Sequence, residues 1–232
     1  MQQGFLPDAP PAIEGYEFFD FYEAANQIGG DYFDYVQLPG ERLAVVLGDV
    51  AGKGMPAALL MAKLSSDVRY SLATGVSPAD AVNKLNAAFA RGDFESRFVT
   101  LVAVVLDCKT HEATVVNAGH MSPYLRTRDG QVRKIGEDEK GLPLGVIDNA
   151  QFETCTVTLQ PGECLTIYTD GINEAMNAAN ELYGFERLEK LVAEERRPIS
   201  TYGKAILDDV NNFVGKRAQS DDRCLICFGR TK

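Results

Sequence analysis

Aspartates placed at the ends of apolar, strand-like runs constrain this chain more than any other feature. Asp49 closes the run Leu43-Ala44-Val45-Val46-Leu47-Gly48, and Asp170 closes Leu165-Thr166-Ile167-Tyr168-Thr169. Asp31 and the pair Asp221-Asp222 stand beside further runs of the same kind. A carboxylate at the mouth of a buried strand is costly when nothing pairs with it. Several of them, drawn from distant parts of one chain to one sheet end, repel unless a cation lies between them. Hard divalent ions such as Mg²⁺ and Mn²⁺ favour such an all-oxygen environment. The pattern predicts a metal-dependent hydrolase.

Composition narrows the setting. With 232 residues, of which 45% are apolar, the chain is sized for one large domain. We place that domain at 12–232 and read 1–11 as a tail or the end of a linker, because Pro7, Pro10 and Pro11 block regular structure. Gln2-Gln3 reads as the close of a helix from an upstream sensor or dimerisation module, with a self-contained protein as the other reading. A net charge of −10 argues against nucleic acid as partner, since phosphate backbones are bound by basic surfaces. No apolar run is long enough for membrane insertion, and no basic-then-apolar leader is visible, which predicts a cytoplasmic protein. The five cysteines are odd in number and scattered. Cys224 and Cys227 have the spacing of half a zinc site, but on a strand they point to opposite faces. They read as buried thiols in a reducing compartment.

Periodicity predicts strands over Tyr16–Ala25, Asp31–Leu38 and Arg42–Leu47, then a buried helix after Gly54 that ends near Gly75. Ser77-Pro78-Ala79-Asp80 opens a second helix, with Ser77 as N-cap. Strand-like runs follow over Phe98–Leu106, Ala113–Asn117, Pro123–Arg128, Gln131–Ile135, Phe152–Leu159 and Glu163–Thr169. Two helices, Gly184–Glu195 and Ser200–Lys216, precede a closing strand Arg223–Gly229. Helices come in pairs between blocks of sheet, which suits an α+β sandwich of antiparallel sheets better than alternating βαβ units.

Gly48-Asp49-Val50-Ala51-Gly52-Lys53-Gly54 superficially suggests a nucleotide-binding loop. That motif needs four residues between its glycines and Ser or Thr after the lysine, and neither condition is met. An acid at Asp49 fits a cation better, with the glycines letting backbone approach it.

Five ordered motifs carry a resemblance. Gly29-Gly30-Asp31-Tyr32-Phe33-Asp34, Gly48-Asp49-Val50-Ala51-Gly52-Lys53-Gly54, Asn117-Ala118-Gly119-His120, Thr169-Asp170-Gly171-Ile172-Asn173-Glu174-Ala175 and Asp221-Asp222 occur in that order. The chain, from about Ile13 to Arg230, resembles the SpoIIE/RsbU-like bacterial branch of the PPM metal-dependent serine/threonine protein phosphatases. The resemblance implies a four-layer α-β-β-α sandwich with two antiparallel β-sheets. It implies that Asp49 bridges two Mn²⁺ or Mg²⁺ ions, that the Val50 carbonyl binds one of them, and that Asp170 and Asp221 hold the second from separate strands. Asp31 matches a ligand acting directly or through water, and Asp222 is the second candidate beside Asp221. Asp34, three strand steps from Asp31, reads as structural.

The implied reaction is hydrolysis of phosphoserine or phosphothreonine on a regulatory protein by a metal-activated water, with no covalent intermediate. Implied partners are a STAS-type anti-sigma-factor antagonist as substrate and an upstream regulatory domain. The chain departs from relatives at three places. Ala51 stands where the animal-type branch has a histidine, a candidate acid for the leaving group. His120 stands where many relatives carry an aspartate used around a third metal, and reads as a hydrogen-bonded structural residue. The closing motif usually continues with a small hydroxyl residue, whereas here it reads Asp221-Asp222-Arg223-Cys224, which leaves the local hydrogen bonding open and keeps the carboxylates. The alternative function is a weak or inactive phosphatase-fold binding module in partner-switching signalling.

Overall fold

The computed structural model describes residues 2–92, 97–194 and 197–231. A 3₁₀ turn over Gln2–Phe5 is followed by strands β1 (Tyr16–Glu23), β2 (Asp31–Leu38) and β3 (Arg42–Val50), then helices α1 (Met55–Ala73) and α2 (Pro78–Ala90). Next come β4 (Val99–Asp107), β5 (Glu112–Ala118), β6 (Tyr124–Arg126), β7 (Val132–Lys134), β8 (Cys155–Thr158) and β9 (Cys164–Tyr168). The one-turn helix α3 (Asp170–Asn173), helices α4 (Phe185–Glu194) and α5 (Ile199–Val214), and strand β10 (Arg223–Arg230) follow. The strands form two five-stranded antiparallel sheets, so the chain is α+β as its element pattern predicts. Among the described residues no helix is long and apolar enough to cross a membrane.

The chain divides into two compact units. The first comprises the residues up to Ala9, Ile28–Ser122 and Ile135–Thr158. Its sheet runs β2-β3-β4-β5-β8. β3 is central to the α1 side of this sheet, and Leu43 to Gly48 are all buried, which is why the run is continuously apolar rather than alternating. α1 packs on β2 and β3 through Ala57, Leu60, Met61, Leu64 and Val68. Gly48 makes room for it, since a Cβ there would meet Leu64 Cδ2 at 3.2 Å. α2 starts as the sequence indicates: Ser77 Oγ accepts from the Asp80 amide at 3.2 Å, and Pro78 fills the first turn, where its missing N–H costs nothing.

Asn86 on α2 ties the loop before β8 to this unit. Its side-chain amide donates to the carbonyls of Ile147 (2.8 Å) and Asp148 (3.0 Å) and accepts from the Gly145 amide (3.0 Å). Asn86 is fully buried, so none of these bonds can be replaced by bulk water.

The second unit comprises Pro10–Gln27, Pro123–Lys134 and Leu159–Lys232. Its sheet runs β1-β10-β9-β6-β7, and α5 lies on β1 and β10. Gly203 on α5 permits this close approach, because a Cβ there would overlap the Phe19 ring at 2.0 Å. Cys164, Cys224 and Cys227 are buried in this sheet, and all five cysteines are free thiols.

Three expectations need correction. β3 does not stop at Leu47 but continues through Asp49 to Val50, because β4 pairs with it along its whole length. Asp170 is not a strand residue; it opens α3, which the sequence pattern did not reveal. Asp221 and Asp222 precede β10, with Asp221 in a bend, so neither is held to the alternating faces of a strand. Smaller differences trim the strand predicted to Ala25 back to Glu23, and the α4 boundary at Glu195 lies outside the described residues.

Asn86→Ala should lower stability by about 2–3 kcal/mol, since it strips partners from several buried backbone groups at once. Urea unfolding of the variant beside the parent protein checks this.

Candidate metal centre

The first unit brings Asp31, Asp49 and Val50 together. Asp31 and Asp49 are direct partners in the β2–β3 register, so their side chains leave the same face of the sheet. Residues opposite one another in an antiparallel pair have Cβ atoms about 4.5–5.5 Å apart, and like charges there are destabilising. Asp31 is 2% exposed and Asp49 is half-buried, so water screens the pair poorly.

Val50 follows Asp49 on the same strand, and its amide donates to the Gly30 carbonyl at 3.4 Å. A Cβ at Gly30 would lie 2.9 Å from the Val50 carbonyl oxygen. The Gly-Gly-Asp motif is thereby explained: the glycine lets β2 approach the Val50 carbonyl, while the next residue supplies the carboxylate opposite Asp49.

The row extends across the sheet. Thr100 on β4 is the register partner of Asp49, and its Oγ1 shares a 2.8 Å hydrogen bond with His120 Nδ1. His120 is 1% exposed, and its backbone amide donates to Asn117 Oδ1 at 2.8 Å. His120 is hydrogen-bonded, as its sequence reading has it. Thr100 is a member of this row that sequence reasoning missed, because only the β3–β4 register places it there.

Asp34 lies on the opposite face, against α1. Its carboxylate is 2% exposed, accepts from Arg69 Nε at 2.6 Å and Nη2 at 3.2 Å, and takes the Tyr32 hydroxyl at 2.8 Å. Burial and the adjacent Asp34 charge hold the Tyr32 phenol well above the usual tyrosine range. The hydrogen bond to Asp34 likewise raises Arg69. Asp34 has its cation built in and belongs to the packing of α1.

The second unit brings Asp170 and the Asp221-Asp222 pair into one neighbourhood. A Cβ at Gly171 would lie 1.8 Å from the Asp222 carbonyl oxygen, so only glycine permits the turn after Asp170 to touch the chain at Asp222. Thr169 and Cys224 secure the contact. The Thr169 amide donates to the Cys224 carbonyl (3.0 Å), and the Cys224 amide donates to Thr169 Oγ1 (2.9 Å). Asp222 Oδ1 accepts from the Ala25 amide at 2.8 Å, and Asp221 Oδ1 accepts from the Asp222 amide at 3.0 Å. Asp221 also borders a small recess with Gly171, Met176, Gln219 and Arg223.

Among the described residues, no three or more His, Cys, Asp or Glu side chains form a group that could hold a metal as it stands. The fit to a metal therefore rests on donor chemistry within each unit. Every candidate donor is an oxygen, and the Asp31–Asp49 pair is the kind of partly buried like-charge contact that a hard divalent ion relieves.

Comparison with known proteins identifies the fold and the family. The fold is that of a PP2C domain: the SiaA-PP2C domain of Pseudomonas aeruginosa superposes with a TM-score of 0.84 at 20% identity, covering 98% of this chain and 92% of that one. The family described as Stage II sporulation protein E (SpoIIE) matches residues 39–231, and the chain belongs to that family. Protein IcfG of Synechocystis sp. is 28% identical over 258 residues, covering 99% of this chain and 40% of that protein. Phosphoserine phosphatase RsbU of Bacillus subtilis is 27% identical over 195 residues, covering 84% of this chain and 57% of that protein. The chain spans about half the length of these relatives.

The two aspartates on β2 should respond unequally to neutralisation in chelator-treated protein. Asp34→Asn should cost about 1–3 kcal/mol by breaking a buried charge pair. Asp31→Asn should change stability by less than about 1 kcal/mol, since the loss of its own contacts is offset by removal of a cross-strand like-charge contact. Urea unfolding in the presence of chelator distinguishes them.

Proposed function

We propose that this chain is a metal-dependent protein serine/threonine phosphatase domain, acting on phosphoserine or phosphothreonine of a regulatory protein. The observation that carries the proposal is the in-register Asp31–Asp49 pair, set beside the Val50 carbonyl in a chain of the SpoIIE family. The printed name of RsbU, a phosphoserine phosphatase, supports the substrate class. A STAS-type anti-sigma-factor antagonist as substrate, an upstream sensor or dimerisation domain, and a cytoplasmic setting belong to the same proposal. The free state of all five cysteines supports that setting.

Asp31, Asp49 and the Val50 carbonyl would hold one Mn²⁺ or Mg²⁺ ion, and Asp170 with Asp221 would hold a second, with Asp222 as the alternative donor. Bound divalent cations would supply positive charge for the phosphoryl oxygens and lower the pKa of an attacking water. The protein's own part is positional. The β2–β3 ladder fixes two acceptor-only carboxylates opposite each other, and Gly30 keeps the Val50 carbonyl within the same corner. Gly171 and the Thr169–Cys224 bonds fix the backbone around Asp170.

Ala51 offers no proton for the departing seryl oxygen, so that proton comes from solvent or from another group, and turnover is slow. Ala51 is also the observation that favours the second reading, a binding module that recognises a phosphoprotein without turning it over.

Phosphate release from a phosphoserine peptide and from an aryl phosphate should require Mn²⁺ or Mg²⁺ and stop with chelator. Asp49→Asn and Asp170→Asn should each reduce it by more than about a hundredfold. Metal-independent turnover, or none by the folded and metal-loaded protein while it still binds phosphopeptide, would reject the phosphatase reading.

A further inference from the structure

An arginine outside the five motifs, Arg97, lies against the loop leaving Asp49 and Val50. Gly52 has φ +102°, in the left-handed region that favours glycine. A Cβ at Gly52 would lie 3.3 Å from Arg97 Nε and 3.9 Å from Arg97 Cδ. The Arg97 side chain therefore lies along the bare backbone of this loop. Backbone register brings it there. Val50 pairs with Val99, Asp49 pairs with Thr100, and the Ala51 amide donates to the Phe98 carbonyl at 2.9 Å. The guanidinium thus stands at the sheet end that holds the Asp31–Asp49 pair.

A phosphorylated serine is an anion approaching an acidic protein and a cluster of carboxylates, so it needs fixed positive charge at the point of arrival. A guanidinium suits this role, because its planar fork of donors matches two oxygens of one phosphoryl group and it stays charged at any working pH. We propose that Arg97 is the residue that binds the substrate phosphoryl group, gripping its non-bridging oxygens beside the Asp31–Asp49 pair. Gly52 is the device that lets the guanidinium lie flat on the loop. This proposal rests on the phosphatase reading above. The competing role for Arg97 is a structural counterion to the aspartates.

The test uses inorganic phosphate binding to the Mg²⁺-loaded protein, followed by calorimetry or ³¹P NMR, together with kinetics on a phosphoserine peptide. Arg97→Ala should weaken phosphate binding and lower kcat/KM by about tenfold to a hundredfold, with KM carrying most of the change. Arg97→Lys should restore part of the loss, and Mg²⁺ affinity should stay within about twofold of the parent. Gly52→Ala should weaken phosphate binding in the same way, and adding Arg97→Ala to it should bring little further loss. Unchanged phosphate affinity in folded Arg97→Ala, or a fall in Mg²⁺ affinity with phosphate binding intact, would overturn the proposal in favour of the counterion role. Phosphate binding that depends on Arg97 in a protein without turnover would instead sink the phosphatase reading and leave the anion site standing.

Discussion

Two carboxylates forced opposite each other across a β-ladder are the constraint around which the first unit is arranged. The three-residue turn Pro39-Gly40-Glu41, with Gly40 and Glu41 at positive φ, fixes the β2–β3 register, so Asp31 and Asp49 cannot avoid each other by slippage. The ladder thus fixes two like charges opposite each other. The features nearby make sense as consequences. Gly30 admits the Val50 carbonyl to the same corner, Gly48 admits Leu64 from α1 behind it, and Thr100 extends the polar row toward buried His120. Asp34, three residues along and on the opposite face, is paired with Arg69 of α1.

The second unit solves a related problem by different means. Asp170 and Asp221-Asp222 are not ladder partners. They are brought near one another by a backbone contact at Gly171 and by the reciprocal bonds of Thr169 and Cys224. A one-turn helix this short has little stability of its own, and α3 exists because the packing at Asp222 shapes it. Each unit therefore presents acidic donors on backbone that side-chain truncation alone would not displace.

Much of this was legible in the amino-acid sequence, and the misses have physical causes. The strands stood out because β3 and β4 are continuous apolar runs, and α2 because Ser77-Pro78 is a local start signal that needs no tertiary context. The end of β3 was misjudged because Gly48 has the look of a turn residue, whereas its missing side chain serves the packing of Leu64. Asp34 was separated from Asp31 correctly by strand periodicity alone, although its partner Arg69 was not foreseen. Thr100 and Arg97 were invisible for a different reason. Both acquire their place from the register of β4 against β3, a long-range pairing that no local spacing encodes. The roles proposed for Asp170, Asp221 and Asp222 came from ordered motifs; the resemblance set Asp170 and Asp221 on strands, whereas the strand bounds read from periodicity, Glu163–Thr169 and Arg223–Gly229, leave all three just outside.

The claim at the centre of this account is that the Asp31–Asp49 pair is a cation site held together by the fold. Titrating Mn²⁺ or Mg²⁺ into the protein while following its thermal midpoint addresses it without any substrate. Saturating metal should raise the midpoint by an amount that grows with concentration, as binding to the folded state alone requires, and Asp49→Asn should abolish the rise. A midpoint indifferent to either ion, or a rise that persists undiminished in Asp49→Asn, would contradict it.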